Sequence, residues 1–156
     1  MPTRDEITVA ISDGVDTVVE TFSGLSDEQL ATQVYDEGWT ARDVLAHLAG
    51  RQASYEMMSK LAQGGPPPAN MGSFDVNAWN QQHIDARAGQ SRDELIEEFR
   101  QVHLAVLARV QGMDEETLGR TFQGPRGETT VGAQLMGSAG THSSTHANDV
   151  KQALGL

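Results

Sequence analysis

Two histidines near the end of this chain have the spacing of metal ligands on a helix. His142 and His146 are four residues apart, and side chains at positions i and i+4 lie on one face of a helix, about 5–6 Å apart at Cβ. Two imidazoles at that spacing can bind one divalent ion. Both residues fall in register with the apolar Ala139 and Val150, so they are predicted to point into the core. Buried imidazoles need polar partners, which a shared ion would supply.

A metal site needs a third ligand from another helix, and His47 is the best candidate because it lies at the edge of an apolar helix face. Ligating histidines usually donate their second ring nitrogen to a polar group. Asp43 precedes His47 by one turn, and Asp149 follows His146 by three residues, so both carboxylates are candidates for that role. The alternatives are helix capping for Asp43 and surface charge for Asp149.

Three imidazole ligands would leave a coordination position open for water or substrate, which distinguishes catalytic zinc sites from structural ones. An ion there could lower the pKa of a bound water towards ~7 or activate a thiolate. Zinc is the first choice of metal, with nickel and iron as alternatives, because imidazole alone does not discriminate among them. The residues between His142 and His146 include no Glu, so the HExxH arrangement of metallopeptidases is absent.

The elements that would position these histidines are predicted to be helical almost throughout. Apolar residues recur every three or four positions, and helix-capping residues precede several of the apolar stretches. Residues 25–38 are expected to connect two helices, with room for a short turn at Ser26, and residues 112–129, which include Pro125, to form a loop with room for a short extended piece. Such a pattern predicts an all-α bundle. The expected helices cover residues 3–24, 40–63, 75–88, 91–111 and 130–154.

Length and composition limit the class of protein. A chain of 156 residues is expected to form one domain over residues 1–156. Acidic residues outnumber basic ones by 22 to 11, for a net charge of −11, and the bases form no stripe, so nucleic acid and anionic membranes are not expected as partners. The absence of cysteine excludes disulfides, thiolate metal sites and cysteine nucleophiles. No secretion signal or membrane-spanning run of ~20 apolar residues is present, so a cytoplasmic location is expected.

Four further side chains have two interpretations each. Trp79 and His83 share a face of the third predicted helix, where they either form a polar and aromatic pocket wall or pack as ordinary helix residues. His103 lies among apolar neighbours and is expected to be a core histidine with one hydrogen bond rather than a ligand. Arg51 either meets an anionic substrate or forms a surface salt bridge.

The chain resembles the DinB/YfiT-like superfamily, which includes the N-terminal domain of mycothiol-dependent maleylpyruvate isomerases. The similarity spans essentially the whole chain in the right order, which makes it more specific than the histidine pair alone. The similar segments are Gly38–Gly50 (GWTARDVLAHLAG), 75–80 (DVNAWN), 91–95 (SRDEL), Thr130-Val131 and the pair His142 and His146.

The resemblance implies a four-helix bundle with up-down-down-up topology and a divalent metal held by His47, His142 and His146. In the isomerases, the position of His142 is commonly Glu and a C-terminal domain contributes to the active site. The resemblance therefore implies the fold and the metal site rather than the isomerase reaction. Related bundles often pair, so a homodimer is possible.

Three functions remain open at this point. The first is a metal-dependent enzyme acting on a small-molecule substrate, with mycothiol or another low-molecular-weight thiol as co-substrate of an S-transfer. The second is a non-catalytic metal-binding or stress-response module, and the third is a small metal-dependent hydrolase.

Overall fold

Long amphipathic helices dominate this protein, which confirms the predicted all-α class. The computed structural model describes residues 1–36, 38–69, 71–124 and 126–156, so Pro125 of the expected loop lies outside the described residues. The helices are α1 Arg4–Ser23, α2 Asp27–Leu30, α3 Ala41–Ala49, α4 Gln52–Ala62, α5 Val76–Asp85, α6 Arg92–Gln111, α7 Glu115–Gly119, α8 Val131–Leu135 and α9 His142–Leu154. A 3₁₀ turn Met71–Ser73, a π-helix Met136–Thr141 and the strands β1 Thr121–Gly124 and β2 Gly127–Thr130 complete the described elements.

Helices begin where the sequence predicts because capping residues satisfy the first backbone N–H groups. In each capping box the hydroxyl accepts from the backbone of the residue three positions later, whose side chain accepts in turn from the cap backbone. The pairs are Thr3 with Glu6, Ser26 with Gln29, Thr40 with Asp43 and Ser91 with Glu94. Asp43 is thus a helix-capping residue, which is the second of the two roles considered for it above.

Four long helical segments form the bundle: α1, α3 with α4, α6, and the run from α8 to α9. Helix α1 packs against α6 and the last segment, and α3 packs against α6 and α9. Two apolar clusters fill the interior, one containing Phe22 and Phe99, the other Ile11 and Val106. His103, a fully buried polar side chain, stands between Phe99 of the first cluster and Val106 of the second on α6.

The last segment is not the continuous α-helix that the sequence predicts. Between α8 and α9, the backbone N–H of His142 donates to the carbonyl of Gly137, five residues earlier, which closes a π-turn. Single π-turns of this kind occur frequently at functional sites. Gly140 allows this segment to approach α1 closely, because an added Cβ there would lie 2.8 Å from Cβ of Ala10.

The second predicted helix, expected over residues 40–63, is divided into α3 and α4 at Gly50 and Arg51. Helix α5 packs closely at this junction, where a Cβ on Gly50 would lie 3.2 Å from Cβ of His83. The interruption places Arg51 at the junction of the two helices.

Two other regions also differ from expectation. Helix α5 ends at Asp85 rather than near residue 88, and its buried residue is Ile84, while Val76 at its start is 55% exposed. Residues 112–129 contain the expected extended structure as most of an antiparallel hairpin, with Phe122 opposite Thr129, and also the helix α7, which the sequence does not predict. Within the described residues, no helix is both long enough and apolar enough to cross a membrane.

Candidate metal centre

His47, His142 and His146 converge between α3 and α9. The Nε2 atom of His142 lies 3.4 Å from Nε2 of His47 and 3.2 Å from Nε2 of His146, and the three potential ligand atoms all lie within 4.8 Å of one another. Ligands bound at 2.0–2.1 Å to a tetrahedral zinc lie about 3.3 Å apart. The two Nε2–Nε2 distances therefore suit a shared metal ion, and the third ligand atom lies within reach of the same ion.

Tyr35 and Asp149 set the tautomer of His146. The Tyr35 hydroxyl lies 2.5 Å from Oδ2 of Asp149 and 2.7 Å from Nδ1 of His146. Because a carboxylate can only accept, the hydroxyl donates to Asp149 and its oxygen accepts from Nδ1–H of His146. Nε2 of His146 is then left with a lone pair directed at the other histidines, as a metal ligand requires.

The donor set fits a divalent cation on chemical grounds. Nε2 of His142 lies 3.2 Å from Nε2 of His146, which carries a lone pair, and 3.4 Å from Nε2 of His47, so without a metal these contacts depend on an Nε2–H proton of His142. A shared cation would satisfy all three at once. Nδ1 of His142 is buried and has no hydrogen-bond partner among the described residues.

Burial keeps these imidazoles neutral. It is the main cause that lowers the pKa of His47 to about 3, and the positive charges of His146 and Arg51 add to the effect. Burial, followed by Arg51 and the other histidines, also lowers the pKa of His142. The pKa of His146 falls through burial, and Asp149 partly opposes that fall. Near neutral pH a metal would therefore meet imidazoles that carry no competing proton.

The segment before α3 supplies two aromatic side chains that the sequence analysis did not assign to the site. Gln33 pairs with Thr40 in an antiparallel bridge, and Gly38, with φ of +94°, adopts a conformation that favours glycine. The resulting turn places Tyr35 against His146 and the Trp39 ring 5.1 Å from the His47 ring. The sequence signal that could have identified these two residues is the aromatic pair Tyr35 and Trp39 on either side of Gly38, immediately before the helix cap Thr40.

Asp149 reaches the cluster indirectly. The sequence suggested that Asp149 orients His146 directly. In the structure, the Tyr35 hydroxyl lies between the side chains of Asp149 and His146 and hydrogen-bonds to both. Burial and the hydrogen bond to Asp149 raise the pKa of Tyr35, so the hydroxyl keeps its proton under ordinary conditions.

His103 lies outside the three-histidine cluster and is fully buried, as the sequence predicts. It makes more contacts than the single hydrogen bond expected. Nδ1 lies 2.9 Å from the carbonyl oxygen of Phe99, and Nε2 lies 2.9 Å from the Tyr55 hydroxyl and 3.3 Å from Oγ of Ser143. Burial lowers its pKa to about 4, so it is a neutral core group adjoining α9.

Trp79 and His83 are both half-buried on α5, with ring centroids 4.6 Å apart. Phe74 continues this aromatic row, 5.4 Å from Trp79. His83 lies close enough to His47 for its positive form to oppose protonation of that residue. The row thus borders the site without contributing to the three-histidine cluster.

Solved structures of low sequence identity share this fold. An uncharacterised protein from Escherichia coli UTI89 aligns with a TM-score of 0.79 and 15% identity over 98% of this chain and 93% of that one. A second similar structure is YfiT from Bacillus subtilis, described as a probable metal-dependent hydrolase with an unusual four-helix bundle topology. It aligns with a TM-score of 0.72 and 19% identity over 97% of this chain and 87% of that one.

A third structure contains nucleic acid. The colibactin self-resistance protein ClbS, solved in complex with double-stranded DNA, aligns with a TM-score of 0.78 and 12% identity over 99% of this chain and 97% of that one. At these identities the likeness concerns the fold. No curated protein matches the chain by sequence.

The family comparison covers most of the chain, including all three histidines of the cluster. The model of the mycothiol maleylpyruvate isomerase N-terminal domain matches residues 11–149, and the YfiT likeness agrees with the four-helix bundle that the resemblance implied. The chain belongs to the mycothiol maleylpyruvate isomerase N-terminal domain family, within the DinB/YfiT-like superfamily.

Proposed function

We propose that this protein is a metal-dependent enzyme acting on a small molecule, with His47, His142 and His146 as its metal ligands. The observation that carries the proposal is the spacing of 3.2 Å and 3.4 Å between the Nε2 atoms of these histidines. The fixed tautomer of His146 and the low pKa of the cluster support it. Zinc is the proposed metal because the spacing suits a tetrahedral site, with nickel and iron as alternatives.

The proposed reaction is transfer of a small electrophile to a low-molecular-weight thiol such as mycothiol. A bound divalent ion would supply Lewis acidity, which favours the anionic form of a thiol and so raises its reactivity. In the transfer, the sulfur forms a bond to an electrophilic carbon, the leaving group departs with the bonding pair, and the thiol proton passes to solvent. The match to a mycothiol-dependent family supports this choice of co-substrate.

The chain's own residues would perform three tasks in this reaction. Tyr35 and Asp149 keep the Nε2 lone pair of His146 directed into the site. Trp39 covers one side of the His47 ring and limits its movement. Burial maintains the neutral state of the imidazoles, so their nitrogens remain available to hold a metal ion. Three protein ligands would leave room for the thiol at such an ion.

Hydrolysis is the second candidate, because YfiT, described as a probable metal-dependent hydrolase, shares the fold. The same three histidines would then serve a reaction in which water replaces the thiol. The two candidates differ in their need for added thiol.

The test uses protein purified without a metal-affinity tag. Its metal content is measured, and the zinc-loaded protein is assayed with 1-chloro-2,4-dinitrobenzene and with p-nitrophenyl acetate, each with and without mycothiol, glutathione or cysteine. We expect thiol-dependent turnover that disappears in His47→Ala, His142→Ala and His146→Ala, together with zinc retention. His83→Ala is the matched control for zinc retention, since it removes a half-buried imidazole outside the cluster.

The outcomes test the proposed site and distinguish the candidate functions. Turnover that survives all three substitutions contradicts the proposed site. Ester hydrolysis without thiol, lost in the same variants, would favour the hydrolase. Tight zinc binding without turnover on a broad panel of electrophiles and esters would favour a non-catalytic metal-binding module.

A further inference from the structure

Arg51 is a cation beside the histidine cluster that has no acidic counter-ion among the described residues. It stands at the junction of α3 and α4, four residues after His47. Its Nε atom is buried without a hydrogen-bond partner, and the ion pairs in the described part of the chain involve other arginines. Gly50 and Arg51 keep backbone angles close to those of a helix, with φ of −78° and −85°, so Arg51 follows His47 by about one helical turn on the same side.

Aromatic packing holds Arg51 in place. Its guanidinium carbon lies 5.5 Å from the ring centroid of Tyr55, a cation–π distance. Tyr55 is itself 3% exposed, and its hydroxyl lies 2.9 Å from Nε2 of His103 and 3.0 Å from the carbonyl oxygen of Ser138. The ring that supports Arg51 is therefore held by hydrogen bonds at its hydroxyl, and the buried Nε–H of Arg51 is left for another partner.

The charges of the site do not balance without an anion. Three neutral imidazoles would leave both positive charges of a divalent ion uncompensated, and Arg51 adds a third. In the described part of the chain, the carboxylate hydrogen-bonded into the cluster is Asp149, behind Tyr35. Excess charge in a partly buried site is costly, so this arrangement favours ligands that bring negative charge of their own.

We propose that Arg51 binds a carboxylate of the substrate beside the three-histidine site, so that the substrate is a carboxylate-bearing small molecule. This inference rests on the proposed function, because it assigns a second contact to the substrate of the same site. A guanidinium presents two parallel N–H donors that match the two oxygens of a carboxylate, whereas an ammonium offers a point charge. The carboxylate would neutralise Arg51 while the reacting part of the molecule lies at the histidines.

The test compares benzoate with benzamide, two probes of nearly equal shape that differ in charge. Binding to the zinc-loaded and to the metal-free protein is measured by calorimetry. We expect benzoate to bind more tightly than benzamide, and Arg51→Gln to weaken benzoate binding at least about tenfold. Arg51→Lys should give an intermediate affinity. Arg4→Gln removes the same charge from the exposed start of α1 and should match the wild type.

Two controls separate this inference from the proposed function. Circular dichroism establishes that each variant is folded, and zinc affinity is measured for each by chelator competition. Arg51→Gln should bind zinc at least as tightly as the wild type, because a like charge has been removed. Failure of the wild type to bind zinc would overturn the proposed function, whereas benzoate binding to the metal-free protein would still test Arg51. Benzoate affinity equal to that of benzamide, or equal in Arg51→Gln and Arg4→Gln, would overturn the role of Arg51.

Discussion

The Nε2 atoms of His47 and His142 lie 3.4 Å apart although 95 residues separate them in the chain. Two structural features account for this contact. The capping box at Thr40 starts α3 so that His47 faces inward, and the π-turn before α9 sets the face of the last helix on which His142 and His146 lie. The contact thus depends on both helices, and disruption of either should reduce metal binding.

Tyr35→Phe should reduce zinc affinity while the fold is preserved. The substitution keeps the ring but removes the hydroxyl that accepts from Nδ1 of His146, and loss of such a partner typically costs about 10–100-fold in metal affinity. Competition with a chromophoric chelator measures the change. Tyr55→Phe is the matched control, because its hydroxyl contacts His103 rather than a proposed ligand. Wild-type zinc affinity in Tyr35→Phe would show that the hydroxyl does not support the site.

The metal-free protein should lose stability in mildly acidic solution. Unfolded histidine has a pKa of about 6.5, whereas burial lowers the pKa of His103 to about 4 and that of His47 to about 3 in the folded protein. Between these values the unfolded state binds more protons, so the free energy of unfolding falls as pH decreases from 6.5 towards 4. Above pH 6.5 this contribution to stability is fully present.

Urea unfolding at a series of pH values, with chelator present, measures this dependence. His103→Gln replaces one of the titrating groups with a neutral amide, so its stability should vary less steeply with pH than that of the wild type. A free energy of unfolding that stays constant from pH 7.5 to pH 5 would contradict the effect of burial described for these histidines.

Gly140→Ala should destabilise the protein by about 1–3 kcal/mol, the usual cost of inserting a methyl group into a packed interface. Its Cβ would lie 2.8 Å from Cβ of Ala10, so α1 and the π-helix would have to separate. Gly137→Ala is the control on the same segment, because a Cβ there meets nothing within 4 Å. Comparison of their free energies of unfolding in urea tests the close approach. Equal stabilities would contradict it.

The protein should not bind double-stranded DNA, although ClbS was solved with such a duplex. A net charge of −11 repels phosphates, and favourable phosphate contacts require clustered cations. Fluorescence anisotropy of a labelled duplex at low salt, where electrostatic binding is strongest, should show no saturable change. Saturable binding that weakens as salt increases would refute this expectation.

The sequence predicts most of the fold because local signals determine it. Capping residues such as Thr3 and Ser91 mark helix starts, and apolar periodicity marks the buried faces. Local signals do not predict the interruption at Gly50, because it lies where α5 packs against the junction of α3 and α4. A Cβ on Gly50 would contact His83 of α5. The π-turn likewise lies where Gly140 packs against Ala10 of α1, a tertiary contact that local propensity does not contain.

In the candidate site, too, local sequence signals predict some features, while others depend on contacts between distant parts of the chain. The i and i+4 spacing of His142 and His146 is a local signal, and the burial of His47 follows from the apolar face of α3. The role of Tyr35 is not local, because its hydroxyl contacts Asp149, 114 residues later in the chain. Sequence analysis treats its segment as a connection, since neither helical nor strand periodicity is present there.

Anomalous diffraction at the zinc absorption edge, from crystals of the zinc-loaded protein, tests the central claim most directly. The account predicts one strong peak between α3 and α9, with Nε2 of His47, His142 and His146 each about 2.0–2.1 Å from it. The peak should be absent from crystals of His142→Ala grown and loaded identically. A zinc peak coordinated elsewhere, or none between these three histidines in fully loaded protein, would contradict the account.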